Sequence, residues 1–551
     1  MTSFAGKTLV AAAAAVMLCG CASNNICEKK CEKSMCNPVK IGWAKRSIAS
    51  DKAVPITGQF HLRVSQGVYT PVIASAMVLE NGSDAVIFVS ADMVSVDPAV
   101  LKMVKAMLSE EIKGFPVEKI IINATHTHAG PSSNQVTVAY PNKVEFVPTG
   151  EMRSYISRQI ADAIKEAWEK RSEGAVTYGY GFATTGHSRR TIYLDDIGKR
   201  EQGQAGIAMN GHGKMYGKTN DDMFDGYEAG TESFINIFYT FDKGGKLTGA
   251  VINVPCPSQT GEHAWVLHAS FWHNVREKLT EKYGDIGVIC QSAAAGDLSP
   301  RQLHYLEAEK RRYRLKYADK LAAYLQNPMK YPQMWVKDPE AAKRQIEYDA
   351  IEWMRAEDIA NRIAAAFDEV LSWAQNDKQC SPELKHEVRT LKLSRRMFPQ
   401  ELLDEEKRNH EALMSESFME DGEEYEMLYK NSRLFSRRNR IGGVAKRAEI
   451  QDKEPYITTD IHVVKIGNAA FASNRFELFM DYMHRIQARS PFEQTFIVQL
   501  VVDDNGTGSY LATEKGWANK GYSATPYCNQ VSPKGGQELV EETLKVLKEI
   551  R

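Results

Sequence analysis

The sequence predicts an α/β protein with mixed sheets, flanking helices and a charged helical insertion. Three observations carry this prediction. Short β-rich runs alternate with helical stretches from about Val39 to Arg301, the texture turns to charged helix from about Gln302 to Lys453, and β-rich runs return from Ile461. The chain has 551 residues, 43% hydrophobic and 25% charged, which is an ordinary globular balance. At this length about 75% of the unfolded surface can be buried, so no metal or disulfide staple is needed for folding. The 69 basic residues against 70 acidic ones leave a net charge of −1, which argues against a nucleic-acid partner.

The first segment reads as a leader rather than as part of the globule. Lys7 precedes the apolar run Leu9 to Leu18, which is too short to span a bilayer. It ends in Leu18-Cys19-Gly20-Cys21, similar to a bacterial lipobox, with Cys21 as the residue to be acylated. Ala22 and Ser23 follow, with no Asp to hold the protein at an inner membrane. The expectation is a signal peptide over 1–20, a tether over 21–38 and a catalytic domain over 39–551, held at the cell envelope by its lipid anchor alone. Cys27, Cys31 and Cys36 crowd into the tether without zinc-ribbon spacing and read as incidental thiols. Cys256, Cys290, Cys380 and Cys528 are scattered, which does not suggest a disulfide scaffold.

Within the domain, Ala85-Val86-Ile87-Phe88-Val89-Ser90 reads as a buried strand, Pro98 opens a helix through Leu101, Val104 and Leu108, and Ile120-Ile121-Ile122-Asn123 is the next strand. Strand, helix and strand in this order make a βαβ unit, which requires some parallel pairing. In the charged region 302–453, Ile359, Ile363, Phe367 and Val370 form one apolar helical stripe, while LLDEEKRNHEAL is mostly solvated face. IHVVKIGNAAFAS and FIVQLVVDDNGTG are later strands, and GGQELVEETLKVLKEI is a closing helix.

Chemistry gathers where the strands end. Asn123-Ala124-Thr125-His126-Thr127-His128-Ala129-Gly130-Pro131 places two histidines on a rigid loop just past a buried strand, able to face one metal or one substrate. Gln291 to Pro300 is a small-residue turn carrying Asp297 and Ser299, and Asn474-Arg475-Phe476-Glu477 sets a carboxylate beyond another strand. His187-Ser188-Arg189-Arg190 adds polar groups suited to recognition.

In order along the chain, VIFVSADM, INATHTHAGP and CQSAAAGDLSP resemble successive segments of the neutral/alkaline non-lysosomal ceramidases, zinc-dependent amidases that cut the N-acyl bond of ceramide. FASNRFELF and GSYLATEKGWANKGYSA resemble their C-terminal segments, the latter placing Tyr510 and Tyr522 on a pair of tyrosines. The resemblance covers most of 40–300 and 460–551. It implies a metal-dependent hydrolase with Zn²⁺ held by His126, Glu477 and Tyr510, and with His128, Asp297, Ser299 and Tyr522 as catalytic residues; a Tyr510 that stays protonated and donates to the developing oxyanion fits the sequence equally well.

Two departures accompany the resemblance. Cys256 in Asn253-Val254-Pro255-Cys256-Pro257-Ser258-Gln259 stands where the resemblance implies a second histidine ligand. It can act as a thiolate ligand, as a nucleophile or as a packed thiol, and His263, His268 or His273 can supply an imidazole in its place. Arg301 follows Ser299-Pro300 where an Asn is implied, and with Arg189 and Arg190 it favours an anionic or hydroxyl-rich substrate. The chain stops after its closing helix, giving the expectation of no C-terminal β-sandwich. The substrate class therefore stays open between a lipid, another small N-acyl amine and a glycan. A cell-surface glycan-active hydrolase, deacylase or glycosidase, is the alternative to the amidase, and a non-enzymatic glycan-binding lipoprotein comes third.

Overall fold

The computed structural model describes residues 37–200 and 211–551. The apolar leader, Cys21 and the cysteines at 27, 31 and 36 lie outside the described residues.

Eight strands form the first sheet: β1 (Lys40–Ser47), β2 (Ile73–Glu80), β3 (Ala85–Ala91), β4 (Ile120–Ala124), β5 (Ser172–Phe182), β6 (Phe234–Asp242), β7 (Leu247–Val254) and β8 (Gly287–Ser292), in the order β8-β7-β6-β5-β1-β2-β3-β4. β1 and β5 share only two residue pairs, Lys40 with Glu173 and Ile41 with Ser172. The sheet is thereby divided into two four-stranded halves. A second sheet contains β9 (Leu384–Ser394), β10 (Tyr456–Ile466), β11 (Ala469–Ser473) and β12 (Gln494–Val498), in sequential order.

Each of these four-stranded units ends in one parallel pair: β3 with β4, β7 with β8, and β11 with β12. A parallel pair cannot be closed by a hairpin, so each needs a crossover. The crossovers are α1 (Pro98–Glu111), α2 (Phe271–Tyr283) and α3 (Met480–Gln487). Asp97 starts α1 by accepting from the Ala99 amide at 2.8 Å, with Pro98 at the first helical position. The predicted βαβ unit is thus present, and its register runs from Ile87–Ile120 to Ala91–Ala124.

Side chains alternate between two cores because successive strand residues face opposite ways. Met77, Phe88, Ile121, Phe238, Val251, Ile289, Phe471 and Phe496 point inward to one shared core between the three units. Phe88 and Phe238 both meet Phe471, with ring centroids 4.9 and 5.7 Å apart. The outward residues of each unit meet their own helices: Val89 with α1, Ile252 with α2, and Val463 with α3 and the closing helix α4 (Pro533–Ile550).

The interval 302–453 is not continuous helix. The helix Pro339–Ala374 buries the predicted stripe Ile359, Ile363, Phe367 and Val370 against β5, β6 and α2, but β9 follows it before the helices Gln400–Ser415 and Glu424–Ala448. In β9 exposed residues flank two buried pairs on opposite faces, Leu384 with His386 and Leu391 with Leu393. Its exposed charges hide a period-2 strand inside a charged region. Cys380 is disulfide-bonded, whereas Cys256, Cys290 and Cys528 are free thiols.

Candidate active site

Loops from all three parallel pairs converge at one place. Past β4, His126 takes a positive φ of 65°, a conformation that non-glycine residues hold only under constraint. The constraint is visible in its neighbours. Thr125 donates to Asp92 at 3.2 Å, Asp92 is clamped by Arg276 of α2 at 2.7 and 3.0 Å, and Thr127 donates to the His268 carbonyl at 2.8 Å. His126 Nδ1 lies 2.8 Å from the Val94 carbonyl, so it carries the proton and leaves Nε2 as an acceptor.

From there six side chains close a ring. His126 Nε2 is 3.4 Å from Glu477 Oε2 and 3.4 Å from His128 Nε2. Gln259 Nε2 is 2.9 Å from His128 Nε2, and its Oε1 accepts from Arg189 Nη1 at 3.4 Å. Arg189 Nη2 donates to the Tyr510 hydroxyl at 3.1 Å and lies 4.0 Å from Glu477 Oε2. Glu477 and Tyr510 are brought together by a short parallel pairing of 477–478 with 510–511. Two glycines let backbone approach this ring: a Cβ on Gly58 would sit 2.7 Å from His128 Cγ, and one on Gly296 would sit 2.4 Å from the Glu477 carbonyl oxygen.

Burial pushes Glu477 towards neutrality, but His126, Arg189 and Tyr510 outweigh it and hold the carboxyl below its usual range. Burial raises Tyr510 well above an ordinary phenol against the pull of Arg189, so it is a proton donor. His128 is lowered to about 4, chiefly by burial, and is neutral. Its Nδ1 lies 3.2 Å from Glu262, whose other oxygen accepts from Arg301 at 2.8 Å, and Arg301 reaches Glu352 at 3.1 Å. Arg63 donates to the His128 carbonyl and holds the Glu262 and Ala264 carbonyls at 2.7 and 2.8 Å.

The structure therefore brings together His126, His128, Glu477, Tyr510 and Arg189, with Tyr522 edge-on to Tyr510 at 5.6 Å between centroids and Arg301 one carboxylate removed from His128. Other expected positions differ. Cys256 is fully buried in the core beside α2, its thiol 3.2 Å from the Thr185 carbonyl and raised by burial; the side chain that its loop delivers to His128 is Gln259. His268 does not replace it, because Nε2 is held by the Gly261 carbonyl at 3.0 Å and Nδ1 by the Ser270 amide at 3.1 Å. His263 packs against the Tyr348 ring, and His273 sits on α2. Arg190 is a structural tie rather than a substrate contact: it is fully buried, paired with Glu228 at 2.8 and 2.9 Å and bonded to the Tyr522 carbonyl at 2.7 Å. Asp297 accepts from the Met480 amide at 3.0 Å, securing the start of α3, and burial pushes it up to about 7. Ser299 accepts from the Arg301 amide at 3.1 Å and shapes that turn. Gln259, Glu262, Arg63 and Asp92 were not singled out from sequence, although Gln259 and Asp92 lie inside stretches that were.

Residues 59–193 match the family model described as neutral/alkaline non-lysosomal ceramidase, N-terminal. This stretch is ceramidase-like. It contributes His126, His128 and Arg189, and the fold adds Glu477 and Tyr510 from far along the chain. Among solved structures, the chain is similar in fold to neutral ceramidase from Pseudomonas aeruginosa at 15% identity and a TM-score of 0.59, covering 93% of this chain and 75% of that one. It is also similar to a structure described as ceramidase complexed with C2, at 14% identity and a TM-score of 0.58, covering 93% and 76%. These likenesses show a shared fold. No curated protein sequence matches the chain.

Proposed function

We propose that this protein is a hydrolase of the ceramidase type that cleaves an N-acyl amide bond at the ring of His126, His128, Gln259, Arg189, Tyr510 and Glu477. The observation that supports this most is the convergence of an imidazole, a carboxylate, a phenol and a guanidinium from distant parts of the chain on one buried point. Structure alone needs no such convergence.

Among the described residues, no group of three or more His, Cys, Asp or Glu side chains is arranged as a metal cage. A catalytic zinc needs only three protein donors and one open position. His126 Nε2, with its proton fixed on the far nitrogen, and Glu477 supply two donors, and Tyr510 would supply the third once the cation's charge ionises its phenol. These residues would hold zinc, which supplies a water made acidic near neutral pH and polarisation of the amide carbonyl.

The rest follows from the chain. His128 presents neutral Nε2 to the same space and has Nδ1 against Glu262, so it can take the proton of the attacking water while Glu262 stabilises the imidazolium. As the water oxygen bonds to the carbonyl carbon, Arg189 donates to the developing oxyanion. Collapse breaks the C–N bond, and His128 returns its proton to the departing amine. The second reading, a glycan-active hydrolase on the same scaffold, draws support from the polar groups Arg189, Glu262 and Arg301 packed beside the ring.

Cys21 acylation and placement at the cell envelope belong to the same proposal, supported by the lipobox-like Leu18 to Cys21. No helix among the described residues is long and apolar enough to cross a membrane. The deciding experiment is release of fatty acid from N-acyl amines, with bound metal assayed in the same preparation. No release from any N-acyl amine, with cleavage of a glycan substrate, would replace the first reading by the second.

A further inference from the structure

A cavity of about 530 Å³ opens beside Tyr522, the ring that touches Tyr510. Its wall carries Arg440, on the helix Glu424–Ala448 of the charged region. The Arg440 guanidinium lies 4.5 Å from the centroid of Phe60, 5.7 Å from that of Tyr522 and 5.6 Å from that of Tyr527. Two distant parts of the chain, one at Phe60 and one at Tyr522 and Tyr527, thus hold one cation against ring faces. Aromatic faces fix a guanidinium in place but leave its in-plane N–H groups unused. The only hydrogen bond among the described residues is a weak one from Nη2 to Cys528 Sγ at 3.9 Å, and no carboxylate among the described residues forms an ion pair with it. Lys214 and Lys218 line the same cavity. The one carboxylate among the described residues of that wall, Asp221, is taken by Arg200 at 2.6 Å. A positioned and uncompensated cation of this kind matches an oxyanion, which a planar fork binds through two parallel hydrogen bonds.

We propose that this cavity binds an oxyanion, a carboxylate or sulfonate, carried on the amine portion of the substrate, with Arg440 as its principal contact. The proposal rests on the hydrolase reading above. A simple acyl chain is uncharged, so the charge must belong to the group on the nitrogen side. Tyr522 separates Arg440 from Tyr510, which puts the anion about one ring away from the reacting bond.

The test uses three N-acyl amines with one common acyl chain: an N-acylglycine, an N-acyltaurine and an N-acylethanolamine. Binding is measured by calorimetry on the soluble mature protein with their uncleavable sulfonamide analogues, and turnover of the amides is followed separately by fatty-acid release. The two anionic analogues are expected to bind about tenfold more tightly than the neutral one, as for hydrogen bonds to a charged group. Tighter binding of only one of them identifies the oxyanion as carboxylate or sulfonate. Arg440→Gln should abolish the preference and Arg440→Lys restore part of it. Equal binding of all three, or a preference that survives in a folded Arg440→Gln protein, overturns the proposal. If Arg440→Gln does not fold, the double variant Lys214→Gln/Lys218→Gln and added salt should both shrink the preference, and a preference indifferent to both overturns it. Binding with the expected preference but no turnover of any amide would instead count against the hydrolase reading.

Discussion

His126 and Glu477 face each other at 3.4 Å across the ends of two different sheets, and each is held there by its own support. His126 is fixed by the Val94 carbonyl, and Glu477 by its strand pairing with Tyr510 and by the close packing of Gly296. Neither position is set by the other. A cation or a reacting group between them therefore meets a preformed site.

That preformed pair gives the first expectation. His126→Ala and Glu477→Gln should each reduce bound zinc and lower amide hydrolysis by about 10²–10³-fold, the usual cost of losing one transition-state contact. Metal analysis and turnover on the same folded protein check this. Full activity in a metal-stripped wild-type protein would remove zinc from the proposal.

Cys256 and Gln259 separate a packing role from a site role. Cys256→Ala leaves a small void and should cost about 1 kcal/mol of stability with turnover nearly intact. Gln259→Ala should lower kcat at least about tenfold and cost about 1–3 kcal/mol of stability, because it leaves both His128 and Arg189 without a shared partner. Denaturant melts paired with steady-state kinetics decide the matter, and loss of metal in Cys256→Ala would restore the thiol to the site.

Acid should weaken the fold through the buried pair His386 and His462, whose Nε2 and Nδ1 lie 2.9 Å apart between β9 and β10. Burial lowers His386 to about 3 and His462 also well below its ordinary value. In the unfolded chain both protonate near 6.5, so the unfolded state binds more protons as pH falls from about 6.5 towards 3. Stability is then lost across that window at about 1.4 kcal/mol per pH unit for each histidine. The variant His386→Asn/His462→Phe should flatten the pH dependence of the urea midpoint between pH 6 and 4, other buried histidines accounting for what remains. An unchanged slope would remove this pair as a source.

Membrane attachment should depend on Cys21. The wild-type protein is expected to fractionate with membranes and Cys21→Ala to become soluble after expression with its native leader. A Cys21→Ala protein still entirely in the membrane fraction would contradict the anchor.

The sequence by itself determined the α/β class, the βαβ unit from Ala85 to Asn123, the buried stripe from Ile359 to Val370 and the closing helix, because each repeats a side-chain period along the chain. It also marked His126, His128 and Glu477, each just past a buried run, whereas Tyr510 was marked only by the resemblance to the ceramidases. The strand β9 was hidden by its charged outer face, which makes a half-exposed strand look like solvated helix. Only the tertiary structure decided which side chain of Pro255 to Gln259 enters the site. Beyond the last strand residue no period survives, and the turn between Pro255 and Pro257 sends Cys256 into the core and Gln259 to His128. The same holds for Arg189 and Arg190. They are neighbours in sequence, but in an extended chain they point to opposite faces, one towards Tyr510 and the other towards Glu228.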